Sequence, residues 1–259
     1  MRTESFATPE PISLAVSNGA GTITITATET DTSTVEIHGG RAVDDTTVEF
    51  TSGRLTVRSP EHRFGSSGSL DITIMIPNGS TAELKGGSAD IAATGSLSRL
   101  IAATGSGDVR ADHITGDAEV TCGSGSVDVE TVTGTAKLHS ASGDVRVTTV
   151  GGDARITTAS GDISVGRVGG GISANTASGD MSIESLSGAA NLRGVSGDIE
   201  VALAPGLAAR LDISSLTGDV QSQLSVSSDQ PTEGAPVTIS ANTVSGDILV
   251  RRAAGVPAT

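Results

Sequence analysis

Between residues 107 and 206 apolar and polar positions recur with a fixed phase. Glycines stand at 107, 125, 143, 161, 179 and 197, each 18 residues after the last. A second series at 116, 134, 152, 170, 188 and 206 lies nine residues out of phase. The nine-residue unit reads Gly, usually a small or acidic residue, apolar, polar, apolar, two variable positions, apolar, and a small residue. Apolar residues at unit positions 3 and 5, with a polar residue between them, have the period of a strand. Gly beside Asp or Ser at the unit boundary predicts a turn, because Gly accepts positive φ and Asp bonds nearby backbone.

The side chains decide between a repeat of nine and one of 18. Position 3 of the first half-unit reads Val109, Val127, Val145, Ile163, Met181, Ile199; in the second it reads Ala118, Ala136, Ala154, Ile172, Ala190. Position 8 divides the same way: Ile114, Val132, Val150, Val168, Leu186 against Gly123, Ala141, Ala159, Ala177, Val195. Like residues recur every 18, so one coil holds two strand-turn units. The predicted fold is all-β, a parallel β-solenoid whose coils rise by roughly 4.7–4.9 Å each. Positions 3, 5 and 8 are expected to face inward, and stability is expected to come from stacking, since no coil buries its apolar face alone. An antiparallel meander also fits the strand period but gives no reason for the alternation of bulky and small halves. Outward position 4 offers vertical neighbours of opposite charge, Arg110, Asp128 and Arg146, and Glu119 with Lys137. Such pairs contribute about 0.2–1 kcal/mol each.

The two ends depart from the period. Residues 1–80 contain the strand-like runs GTITITAT (21–28), STVEIHG (33–39), TTVEFTSGRLTVRS (46–59) and LDITIMIP (70–77), with turns at Asn18-Gly19 and Ser52-Gly53. They predict a small β-rich cap before a repeat region over 81–252, with a polar loop at 59–69. After Gly206 the register slips: the Gly of SSLTGDV comes 21 residues after Gly197, and that of NTVSGDILV another 28 later. A loop insertion is expected over 227–236 and a tail over 253–259, with Arg251 and Arg252 capping the last strand.

Composition narrows the interior and the partners. The 259 residues include no Trp or Tyr, 3 Phe and 34 Gly, so the core must be a thin one of Val, Ile, Leu and Ala. The formal charge of −14 argues against nucleic acid, which needs Lys/Arg patches. No apolar run approaches membrane-spanning length and no signal-peptide pattern opens the chain, so a cytoplasmic location is the expectation. The single cysteine, Cys122, is read as a small packing residue.

The reiterated SGDV/SGDI units, the opening FATPEPISLAV and the segment RFGSSGSLDITIMIP resemble the bacterial putative-adhesin family of β-strand-repeat proteins. The resemblance covers nearly the whole chain and implies a fold far more than a chemistry. The family is largely a domain of unknown function.

Catalytic motifs are missing from the sequence: there is no Gly-x-Ser-x-Gly elbow, phosphate loop or His-Glu-x-x-His. His38, His62, His113 and His139 lack metal-ligand spacing. No cofactor and no catalytic residue is therefore expected. The one recurrent site candidate is the turn Asp. Asp108, Asp144, Asp162, Asp180 and Asp198 are expected along one edge, broken at Ser126, with Asp117 and Asp153 on the opposite edge. Stacked carboxylates repel, and a calcium ion could relieve that. The nonapeptide calcium solenoids, however, have more glycines per unit and a later Asp. A turn-holding role is the reading taken here. The function expected is a non-enzymatic scaffold that binds a protein partner or itself. The alternatives are a calcium-binding module on the Asp column and a polysaccharide-active enzyme, which would need a carboxylate cluster in a groove.

Overall fold

The computed structural model describes residues 1–60, 68–224 and 236–254. His62, most of the loop expected at 59–69, most of the insertion expected at 227–236 and the end of the tail lie outside those residues. The chain is all-β, a parallel β-solenoid, and among the described residues its one helical element is a short 3-10 turn at Arg41–Val43. It divides into two compact units, Met1–Gly134 and Thr135–Thr259.

In the first unit the strands are β1 (Arg2–Ala7), β2 (Ser13–Thr28), β3 (Thr32–Gly39), β4 (Thr47–Thr51), β5 (Arg54–Arg58) and β6 (Leu70–Pro77). They are followed by β7 (Thr81–Leu97), β8 (Arg99–Thr104), β9 (Val109–Ile114), β10 (Ala118–Cys122) and β11 (Val127–Val132). The 18-residue stacking already operates at β7, where Ala82 pairs Leu100 and Ile91 pairs Val109. β2 forms a whole coil on top of β7, with Leu14 on Ala82 and Ile23 on Ile91. Its other edge carries β5 and β6, with Leu14 on Leu55 and Ile23 on Ile72. The antiparallel strands β4 on β5, β3 on β6 and β1 on β3 then end the parallel stack. Phe6 and Phe50, two of the three phenylalanines, meet there with ring centroids 5.5 Å apart.

In the second unit the first-half and second-half strands alternate: β12 (Ala136–Ser142), β13 (Val145–Val150), β14 (Ala154–Ser160), β15 (Ile163–Val168), β16 (Ile172–Asn175) and β17 (Met181–Leu186). The remainder are β18 (Ala190–Arg193), β19 (Ile199–Leu203), β20 (Ala209–Thr217), β21 (Val220–Ser222), β22 (Val237–Ser245) and β23 (Ile248–Arg252). The coil of β22 and β23 stacks directly on that of β18 and β19, with Ala190 on Ile239 and Ile199 on Ile248. The coil of β20 and β21 lies beyond it, with Leu211 on Ile239 and Val220 on Ile248. The spacings of 21 and 28 residues thus reflect coil order: the chain places an outer coil first and then returns to fill the slot beneath. β2 sits between two coils in the same manner. A terminal coil with both edges hydrogen-bonded cannot fray as an edge strand does. Arg251 adds an ion pair to Glu200, and Arg252 donates to the Leu207 carbonyl at 2.6 Å.

The core is made of the aliphatic columns, but one expectation about it fails. Position 8 faces inward only in the first half, where Ile114, Val132, Val150, Val168 and Leu186 are 0–1% exposed. In the second half Ala141, Ala159, Ala177 and Val195 are exposed, and the residue before each is buried or half-buried instead. The cause is strand geometry. First-half strands turn two successive residues outward before position 8, whereas second-half strands keep strict alternation through position 7. The buried position 7 carries small polar side chains that donate to corner carbonyls. Thr104 bonds Ala89 O at 3.0 Å, Thr158 bonds Gly143 O at 3.4 Å, and Thr176 bonds Gly161 O at 3.4 Å. Cys122 holds the same position, its thiol donating to Gly107 O at 3.2 Å. Burial pushes this thiol above the usual range, and the Asp108 carboxylate adds to the shift. Cys122→Thr is therefore expected to change stability by less than about 1.5 kcal/mol, as a near volume-conserving core exchange does. The native thiol is expected to react with a thiol reagent at neutral pH only on unfolding. Rapid labelling of the native protein would contradict this placement.

Candidate functional site

The recurring Asp stands at the turn that precedes each first-half strand. In the second unit Asp144 Oδ1 accepts the Asp162 N–H at 2.9 Å, Asp162 Oδ1 that of Asp180 at 2.8 Å, and Asp180 Oδ1 that of Asp198 at 2.8 Å. The ladder runs on through residues that the 18-residue spacing does not reveal. Asp198 accepts from Asp247 at 2.7 Å and Asp247 from Asp219 at 2.8 Å. The backbone returns the bond, since the carbonyl of Asp180 accepts the Ile163 N–H at 2.8 Å. In the first unit Asp90 and Asp108 act likewise, Asp108 Oδ1 accepting the Ser126 N–H at 3.0 Å.

Each turn is thereby tied to the turn one coil away, not to its own backbone. Such charge-assisted bonds are roughly twice as strong as neutral ones. On the opposite edge Asp153 Oδ1 accepts the Gly171 N–H at 2.8 Å. The ladder brings the five sequence candidates into the same role but not into one convergent cluster. Among the described residues no three His, Cys, Asp or Glu side chains are grouped as a metal centre requires. His113 stacks on Thr131, and His139 on Thr157; His38 lies 4.0 Å from Glu36 at an exposed edge.

Outside the ladder, ion pairs form both within a strand and between coils. Arg110 stacks on Asp128 but its guanidinium bonds Asp108 at 3.3 Å. Glu83 accepts from Lys85 at 2.8 Å, with Arg54 at 3.6 Å. The Lys85 hydrogen bond and charge, with Arg54 behind them, hold its carboxyl below the usual range. Among the described residues no helix is long and apolar enough to cross a membrane.

Stacked Gly-Asp turns closing coils of 18 residues define a repeat solenoid in which the repeated polar residue links coil to coil. The chain belongs to the Toastrack DUF4097 family, whose model matches residues 12–251. No curated protein matches it. Among solved structures it is similar to a putative adhesin from Bacteroides fragilis, with 15% identity, 96% of each chain covered and a TM-score of 0.54. It also matches a putative cell adhesion protein from Clostridium sporogenes at 12% identity, over 97% of this chain and 99% of that one, with a TM-score of 0.31. The first of these supports the fold; the second is too distant in shape to add to it.

Proposed function

We propose that the protein is a non-enzymatic interaction scaffold of adhesin type that presents fixed side-chain ladders to a protein partner, a second copy of itself included. One observation carries this reading. The corner column of the second unit that follows the buried threonines is apolar yet exposed: Ala141, Ala159 and Ala177, then Val195 (51% exposed), Val244 (47%) and Leu216 (77%). The pairings of the residues that follow, Ser178 on Ser196, Ser196 on Ser245 and Ser245 on Thr217, set these side chains in one line. A contiguous apolar strip rimmed by polar residues is the usual mark of a protein contact.

The test is sedimentation velocity of the full chain over a wide concentration range in chelator. Assembly that grows with concentration, and that Val244→Ser with Leu216→Ser abolishes, is the expected result. A single concentration-independent species would sink self-association and turn the search to another protein. The same runs with calcium examine the alternative raised by the Asp ladder. A calcium-dependent rise in melting temperature, lost in Asp162→Asn/Asp180→Asn, would make the ladder a cation site.

A further inference from the structure

The last coil of the second unit is covered on one side only. β20 pairs with β22 and β21 with β23, and among the described residues no strand pairs the other edge of either. Exposure shows the consequence. Leu211, Ile213 and Val220 stand in the inward columns of Ile239, Ala241 and Ile248, which are 0–1% exposed. Leu211 and Ile213 are only half-buried, and Val220 is 43% exposed. The free edge of β20 also has a definite phase. Ala208 O accepts the Val237 N–H at 2.9 Å, and alternate residues of an extended strand turn their N–H and C=O to the same side. The backbone groups of Arg210, Asp212 and Ser214 therefore face β22, and those of Ala209, Leu211, Ile213 and Ser215 face the open edge.

Two features fit this edge to one occupant. Sheet edges that stay single are blunted by Lys, Pro, a bulge or an inward charge. β20 is nine residues long and has no Lys or Pro, and its two charges, Arg210 and Asp212, point outward and are of opposite sign. The order of those charges is the second feature. A two-fold axis sets identical strands antiparallel, so that residue i faces residue j and j faces i. Centred on Leu211, such a pair places Arg210 opposite Asp212 twice, Ala209 opposite Ile213 twice, and Leu211 opposite its own copy. Opposite charges directly across two strands stabilise the pairing and like charges oppose it. Centring on Arg210 or Asp212 would set like charges face to face, and centring on Ile213 would draw Arg210 away from Asp212. The edge is thus self-complementary in one register, which also pairs the outward N–H and C=O groups of Ala209, Leu211 and Ile213. β21 offers less, since exposed Gln221 and Ser222 follow its single apolar residue.

We propose that β20 is a dimerisation edge, to which a second copy of the chain adds its own β20 antiparallel across a two-fold axis at Leu211. The uncovered coils then meet, and Leu211 and Ile213 of both copies leave water. Each copy uses its edge once, so this contact closes at two chains. The proposal rests on the scaffold reading and names a second copy as a partner, but the contact is the strand edge and not the apolar strip of Val195, Val244 and Leu216.

Sedimentation equilibrium of the full chain tests it. The Val244→Ser/Leu216→Ser chain, which no longer grows through the strip, is expected to stop at the dimer, twice the 25.6 kDa of one chain. In that background Arg210→Asp and Asp212→Arg each turn both Arg–Asp pairs into like-charge pairs. Either should weaken the dimer at least about tenfold. Circular dichroism confirms that each variant is folded before the two are mixed. Mixing should restore a dimer, now of one copy of each, because every pair across the axis is again Asp with Arg. No effect of these charges within one chain could produce that rescue. A monomer in the strip-free background overturns the edge and leaves any growth of the wild-type chain to the strip. A wild-type chain that stops at the dimer sinks the strip and leaves the edge standing. A dimer indifferent to Arg210→Asp overturns the proposal, as do folded single variants that stay monomeric on mixing.

Discussion

Gly179→Ala is expected to destabilise the protein by about 3–5 kcal/mol, measured by urea denaturation, at a position fully within the repeat. Gly179 has φ +143°, a conformation that L side chains rarely adopt, and an added Cβ would lie 2.2 Å from the carbonyl oxygen of Gly161 and 2.6 Å from its carbon. The obstacle is backbone of the neighbouring coil, so no rotamer change can relieve it. Separating the two turns would stretch the Asp180 N–H bond to Asp162 Oδ1 at 2.8 Å and the Ile163 N–H bond to the Asp180 carbonyl, also 2.8 Å. Gly206→Ala is the control. Gly206 also has positive φ, +82°, but nothing lies within 4 Å of its added Cβ. It should lose only about 1–2 kcal/mol, the conformational cost alone. Equal losses at the two sites would mean that coil-to-coil approach at the corner does not limit the side chain.

What the sequence made legible follows from what is periodic. The Val and Ala columns at position 3 disclosed the 18-residue coil because packing there depends on side-chain volume, which a sequence displays directly. The two halves were less distinct at positions 7 and 8, because one averaged nine-residue phrase hides a difference in strand geometry. A signal was present: position 7 of the second half holds only small groups, Cys122, Ser140, Thr158 and Thr176, while the first half admits His113 and Arg167. Long polar side chains can occupy an outward site; the small ones were buried. Coil order at the C-terminal end was harder, since a spacing of 49 residues between stacked Gly197 and Gly246 has no local signature. Even so, Ser222 stands at the inward position that Val250 and Val201 fill in the coils beneath it, as suits a coil with one uncovered edge. Asp219 and Asp247 escaped the candidate set for this reason. The role of the Asp ladder was also non-local: its bonds reach residues 18, 28 or 49 positions away, which turn chemistry alone does not foretell.

Removing Ile163–Asp180 should leave a folded protein, whereas removing only Ile163–Gly171 should unfold the second unit. The longer deletion, 18 residues, takes out one complete coil. It joins Asp162 to Met181 as Asp180 is joined now, so Val145 meets Met181 and Ala154 meets Ala190, each with a residue type already stacked in its column. In a one-dimensional stack the loss is that of one coil and its interface. Circular dichroism should keep its β signature, and the urea m-value should fall with the smaller buried surface. The nine-residue deletion removes half a coil and exchanges the halves of every later one. Ala177 would then replace a bulky residue beside Val150, and Leu186, now fully buried, would stand at the exposed corner after Ala159. Large-to-small changes in a core cost about 2–5 kcal/mol each. A few of them exceed the roughly 5–15 kcal/mol that holds a domain folded. If the nine-residue deletion unfolded at the same urea concentration as the 18-residue one, the halves would be interchangeable. The alternation of bulky and small columns would then have no part in setting the coil.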